Sequence, residues 1–137
     1  GGVDDIWLNT KTGEIIVVDY KSQATSYEVN ARYYLASAYH QGYKVQMDFY
    51  AYLLTEMGFD VSDTAYFLVC NADRGAEGFY GKLTFSETLI PYKHNIDWIP
   101  SKLDDMIDTL NNNQIPPSHD SCENCAYARH RSVYDNI

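Results

Sequence analysis

The sequence predicts an α/β (α+β) fold, a mixed central β-sheet flanked by helices, and three observations carry that expectation. Residues 3–20 hold two β-prone runs separated by a turn, residues 43–57 place apolar side chains at helical spacing, and residues 65–85 hold a second pair of strand-like runs. A last amphipathic segment follows at 98–110.

Residues 3–9 read as a short strand, 10–13 as a turn, and 14–20 as a second strand whose Ile15, Ile16, Val17 and Val18 are strongly β-prone. That apolar run is continuous rather than alternating, which predicts a central strand covered on both faces. Residues 22–41 are polar and rich in tyrosine and suggest a loop followed by a helix over 28–40. Tyr43, Met47, Tyr50, Leu53, Leu54 and Met57 mark the most regular helix, and Gly58 supplies its stop. Residues 65–70 (Ala-Tyr-Phe-Leu-Val-Cys) predict a buried strand, and 78–85 its antiparallel partner. Ile99, Leu103, Met106, Ile107 and Leu110 predict a helix over 98–110, with Ser101 near its start and Asn111–Asn113 at its end. Pro116 and Pro117 then open an irregular tail, so the expected division is a core at 1–115 and a tail at 116–137.

A chain of 137 residues suits one domain. Apolar residues at 45% and 13 tyrosines argue against disorder. No run of about 18 apolar residues occurs and no secretory signal opens the chain, so a soluble, cytoplasmic protein with no membrane partner is expected. Three cysteines, two of them in a Cys-x-x-Cys pair, suit a reducing compartment better than a disulfide framework. The net charge of −9 counts against simple nucleic-acid binding, which normally demands a basic face. Divalent cations held between carboxylates would supply positive charge of their own, so phosphodiester chemistry stays open.

Two acidic positions fall on the predicted hairpin: Asp4, with Asp5 beside it, and Asp19. Asp19 and Lys21 lie two residues apart, so on an extended strand their side chains share a face. Asp4 would join them across the hairpin, while Asp5 should point the other way. Magnesium takes one or two carboxylates plus waters and phosphate, which suits Asp4 and Asp19. The alternative is a turn aspartate beside an ordinary ion pair at a strand end.

Gly1-Gly2-Val3-Asp4, then a hairpin, then Ile16-Val17-Val18-Asp19-Tyr20-Lys21-Ser22 resembles the second and third motifs of the PD-(D/E)XK nuclease superfamily. Gln46-Met47-Asp48-Phe49-Tyr50 resembles the Gln-x-x-x-Tyr motif of its RecB-like exonuclease branch, and Gln46 and Tyr50 share a helix face at i and i+4. The resemblance implies a restriction-endonuclease-like core that hydrolyses DNA with Mg²⁺ or Mn²⁺. Asp4, Asp19 and the Tyr20 main-chain carbonyl would hold the metal, Lys21 would be the catalytic lysine, and Gln46 and Tyr50 would position substrate or the motif strands. Members of the family usually carry a further acidic residue on a helix preceding the Asp4 strand, so an N-terminally truncated domain is expected, belonging to a larger recombination, repair or phage protein. The alternative from another class is a nuclease-like fold retained for nucleic-acid binding or scaffolding without turnover.

Cys122 and Cys125 fall where this branch often holds an iron–sulfur cluster, although that cluster uses four cysteines. His119, Cys122, Cys125 and His130 form an alternative zinc set. A vestigial cluster is the third possibility. Cys70 reads as a small core residue. Arg129, His130 and Arg131 read as a solvated helix end, and the tyrosines as core and rim rather than a stacking surface for bases.

Overall fold

Asp5–Leu8 (β1) and Ile15–Thr25 (β2) pair antiparallel as the expected hairpin, with Leu8 opposite Ile15 and Asp5 opposite Val18. In its turn the Gly13 N–H donates to the Asn9 carbonyl at 2.8 Å, and Gly13 takes a φ of +82°, a left-handed conformation that favours glycine. The computed structural model describes residues 2–134, so Gly1 of the first motif and residues 135–137 of the tail lie outside the described residues.

The second strand does not stop near Tyr20 as its apolar run suggests; it continues to Thr25. The cause is a partner. Thr64–Asp73 (β3) lies parallel to β2 from Val18 opposite Tyr66 to Thr25 opposite Asp73, and satisfies backbone groups that the sequence alone leaves to a loop. Buried Asn71 secures the far end, accepting from the Thr25 N–H at 3.0 Å and from its hydroxyl at 2.9 Å.

The partner of β3 is displaced from its expected place at 78–85. It is Phe85–Lys93 (β4), antiparallel from Ala72 opposite Phe85 to Thr64 opposite Lys93, and the preceding residues form a loop. Pro91 counts against a central strand, but β4 is an edge of the four-stranded sheet β1-β2-β3-β4, where a missing N–H is tolerated. The sheet is mixed, with β2 and β3 interior as the continuous apolar runs require.

Between β2 and β3 the expected helix over 28–40 is shorter: Ala31–Ala36 (α1), then a 3₁₀ turn at Ala38–His40. The Asn30 side chain caps α1 by accepting from the Arg32 N–H at 2.9 Å, and the extended conformation of Ser37 ends it. Gln41–Glu56 (α2) follows, and Gly58 at φ +90° ends the chain's helical path. Ile99–Asn111 (α3) matches the predicted last amphipathic helix. The tail is not wholly irregular: Glu123–Tyr134 forms a further helix (α4), where the Cys122 Sγ accepts from the Cys125 N–H at 3.3 Å as a first-turn cap. The chain groups into two compact units, Gly1–Ile99 and Pro100–Ile137, and the division expected after residue 115 falls inside the second. Within that unit Met106, Ile107 and Leu110 are exposed.

Strand alternation sorts the sheet into two faces. One carries Val17, Ala65, Phe67, Val69 and Ile90, buried with Met47, Ala51 and Leu54 of α2 and Tyr34 of α1. Each fully buried valine, isoleucine, phenylalanine or methionine side chain here contributes about 1.5–3 kcal/mol. Asp19 and Lys21 lie on this face because they follow Val17 at two-residue steps. The other face carries Asp5, Trp7, Tyr20 and Tyr66, with Trp7 stacked on Tyr66 at 6.3 Å between ring centroids. A buried carboxylate holds α2 in place: Asp48 accepts from the Tyr92 hydroxyl at 2.9 Å, the Asn95 N–H at 3.1 Å and the Trp98 indole N–H at 2.9 Å. Among the described residues no helix is long and apolar enough to cross a membrane.

Candidate active site

Asp19 is fully buried, with 0% exposure, although it is a charged residue in the middle of an apolar strand. Lys21 Nζ forms an ion pair with Asp19 Oδ2. Asp19 Oδ1 is buried and has no hydrogen-bond partner among the described residues. Burial is the largest cause of an Asp19 pKa raised above the usual carboxylate value; Lys21 opposes the rise and the Asp4 carboxylate adds to it. The two carboxylates therefore share one electrostatic site.

Asp4 reaches that site from just ahead of β1 rather than from within it. Its Oδ2 accepts from the Tyr20 N–H at 2.9 Å, which fixes the backbone between Asp19 and Lys21 and thus the neighbourhood of the Tyr20 carbonyl. Asp5 points to the opposite face, as alternation requires. There it accepts from the Tyr20 hydroxyl at 2.5 Å and the Trp7 indole at 3.0 Å, and these bonds, the Tyr20 one foremost, hold its pKa low.

Lys21 is held from three sides. Besides Asp19, its Nζ donates to Gln46 Oε1 at 3.4 Å and sits 4.6 Å from the centroid of the Tyr43 ring. Gln46 Nε2 then donates to the Tyr50 hydroxyl at 2.8 Å, and that hydroxyl donates to the Gly2 carbonyl at 2.6 Å. One relay of side chains on α2 thus ties the lysine of β2 to the segment that presents Asp4. Tyr43, Gln46 and Tyr50 stand at i, i+3 and i+7, one stripe of the helix.

Hard divalent cations need oxygen donors, and an orphaned, buried carboxylate oxygen beside a second carboxylate is a donor set of that kind. The residues present fit such an ion. No group of three or more histidine, cysteine, aspartate or glutamate side chains that could hold a metal is gathered among the described residues. His119, Cys122, Cys125 and His130 are accordingly not brought together as a metal site. Ser121 donates its N–H to His119 Nδ1 at 3.2 Å, and the Cys122 thiol is occupied by Cys125, whose hydrogen bonds to it lower the Cys122 pKa and raise that of Cys125.

Tyr43, Tyr34 and His40 were not expected near the site. Tyr43 was readable, being three residues before Gln46 on the same stripe. Tyr34 was not, because α1 is too short to show a period. Its hydroxyl is buried without a hydrogen-bond partner among the described residues, and burial, then the neighbouring Tyr43 and Asp19, push its pKa up to about 12.

No curated protein and no solved structure matches the chain. A family model does, across residues 1–130. That span takes in the hairpin, the buried Asp19–Lys21 pair and the helix that fastens it, and the chain belongs to the PD-(D/E)XK nuclease superfamily.

Proposed function

We propose that this chain is a metal-dependent nuclease domain that hydrolyses DNA phosphodiester bonds, of the RecB-like exonuclease type. Membership of the superfamily makes nucleic acid the substrate class. The observation that carries the reading is the buried Asp19, with one oxygen unpartnered, the Asp4 carboxylate nearby and Lys21 beside it. Gln46 and Tyr50, in the Gln-x-x-x-Tyr spacing, support the RecB-like assignment by fastening Lys21 to the Asp4 segment.

Asp4, Asp19 and the Tyr20 carbonyl would hold Mg²⁺ or Mn²⁺, which when bound polarises the phosphodiester and acidifies the attacking water. The chain's own groups do the rest. Asp19 and Gln46 hold the Lys21 ammonium at one place, where its charge offsets the negative charge that develops on the phosphate and its N–H groups orient the water. Tyr43 shields one side of that ammonium from solvent. Asp4, by bonding the Tyr20 N–H, keeps the strand backbone from shifting as substrate enters.

The test is cleavage of a labelled oligonucleotide with Mg²⁺ or Mn²⁺. Lys21→Ala and Asp19→Asn should each lower the rate by about 10²-fold or more with an unchanged circular dichroism spectrum, and chelation should abolish cutting. Parent-level cutting by both variants would remove the assignment. Among the described residues the site gathers the carboxylates of Asp4 and Asp19, and the second reading is a domain that binds nucleic acid there without turnover. Tight binding by the parent with no product under either metal would select it.

A further inference from the structure

A cavity of about 510 Å³ is lined by residues between Gln23 and His40, and its walls are largely aromatic. Tyr27, Tyr33 and Tyr39 line it while remaining 71%, 74% and 92% exposed, so they are not core residues. Buried Tyr34 and half-buried His40 line it as well, their ring centroids 4.0 Å apart. Among the described residues no lysine or arginine belongs to the lining, and Glu28 brings a negative charge. From this cavity a chain of ring contacts leads to the catalytic lysine: His40 stacks on Tyr43 at 5.3 Å, and the Tyr43 ring faces Lys21.

Exposed tyrosines carry a cost in solubility and offer large, rigid, amphipathic faces at low entropy loss. Two kinds of ligand surface are available in a nucleic acid, phosphates and base faces. An uncharged to acidic lining rejects the first and suits the second. Base faces are accessible only where the strand is unpaired, since a duplex hides them in its stack. We infer that the cavity formed by Tyr27, Tyr33, Tyr39 and His40 is a base-stacking subsite that takes unpaired nucleotides and delivers the adjoining phosphate to Asp19 and Lys21. The inference rests on the nuclease reading above for its phosphate end, and it makes a single strand the preferred substrate. A protein of net charge −9 needs such a source of affinity, because its long-range field opposes the approach of a polyanion.

The experiment measures binding of the full chain, with Ca²⁺ in place of the catalytic metal, to three labelled probes: a single strand, the same sequence as a blunt duplex, and the same strand with abasic sites. The single strand should bind about tenfold or more tighter than either other probe, as stacking of a base predicts. Tyr33→Ala and Tyr39→Ala should each weaken single-strand binding by about tenfold, whereas Tyr33→Phe and Tyr39→Phe should retain it, and the alanine variants should bind the abasic strand as the parent does. Equal binding of duplex and single strand, or alanine variants indistinguishable from the parent, overturns the subsite. Cleavage by the parent in Mg²⁺ is scored separately: tyrosine-dependent binding without cutting leaves the subsite standing and removes the nuclease reading. Cutting with tyrosine-independent binding does the reverse.

Discussion

Asp19 holds a charge that its surroundings oppose, and that opposition has a testable sign. Burial raises its folded-state pKa above the unfolded value, so stability associated with this group is present at low pH, where both states are protonated, and is lost as pH rises through the raised folded value. Metal-free Asp19→Asn should therefore melt a few degrees above the parent near pH 7, with the difference vanishing toward pH 4. Added Mg²⁺ should stabilise the parent and leave the variant unmoved, and affinity for the ion should fall as the pH drops into the range where Asp19 protonates. Thermal melts across pH, with and without the ion, check both. At this scale the sequence is informative because two-residue alternation is local: the placing of Asp19 with Lys21, and of Asp5 away from them, needs only an extended backbone. The orphaned Oδ1 was not legible, since an unpartnered atom is defined by every other group that fails to reach it.

Among the elements, α2 does the positioning, and two sets of bonds hold it. Asp48 accepts three hydrogen bonds from residues 92–98, so Asp48→Ala should leave the Tyr92 hydroxyl and the Asn95 N–H short of this acceptor at a cost of about 3 kcal/mol. Urea unfolding measures it. The relay through Gln46 and Tyr50 is a separate matter. Tyr50→Phe removes the link to Gly2 with little change in volume, and should lower the cleavage rate by about tenfold while lowering the unfolding free energy by less than about 1 kcal/mol. A rate equal to the parent's would mean that the relay does not position Lys21. The helical period made α2 readable from sequence. The sequence points away from β4 because its signal is weak: Pro91 sits inside it, and its outer residues face solvent at the sheet's edge. The extension of β2 to Thr25 is not legible for a related reason, as residues 21–25 become strand only through pairing with β3.

Over the whole molecule, charge and shape pull in different directions. With few basic side chains to grip phosphates, single-strand binding should depend only weakly on salt, with a slope of log affinity against log salt of about −1, as for one or two phosphate contacts. A much steeper slope in a titration from 50 to 300 mM salt would mean that a basic surface, and not stacking, supplies the affinity. The sequence by itself determined the hairpin, the α2 stripe and the alternation that places Asp19 with Lys21. These are set by chain periodicity and by neighbours a few residues apart. Tertiary structure alone decided that Asp48 would be a buried hub, that Cys122 would cap a helix, and that Tyr27, Tyr33 and Tyr39 would face a cavity instead of the core. The physical reason is common to all three. A side chain's burial and partners depend on which distant segments meet it, and local spacing carries no information about that meeting.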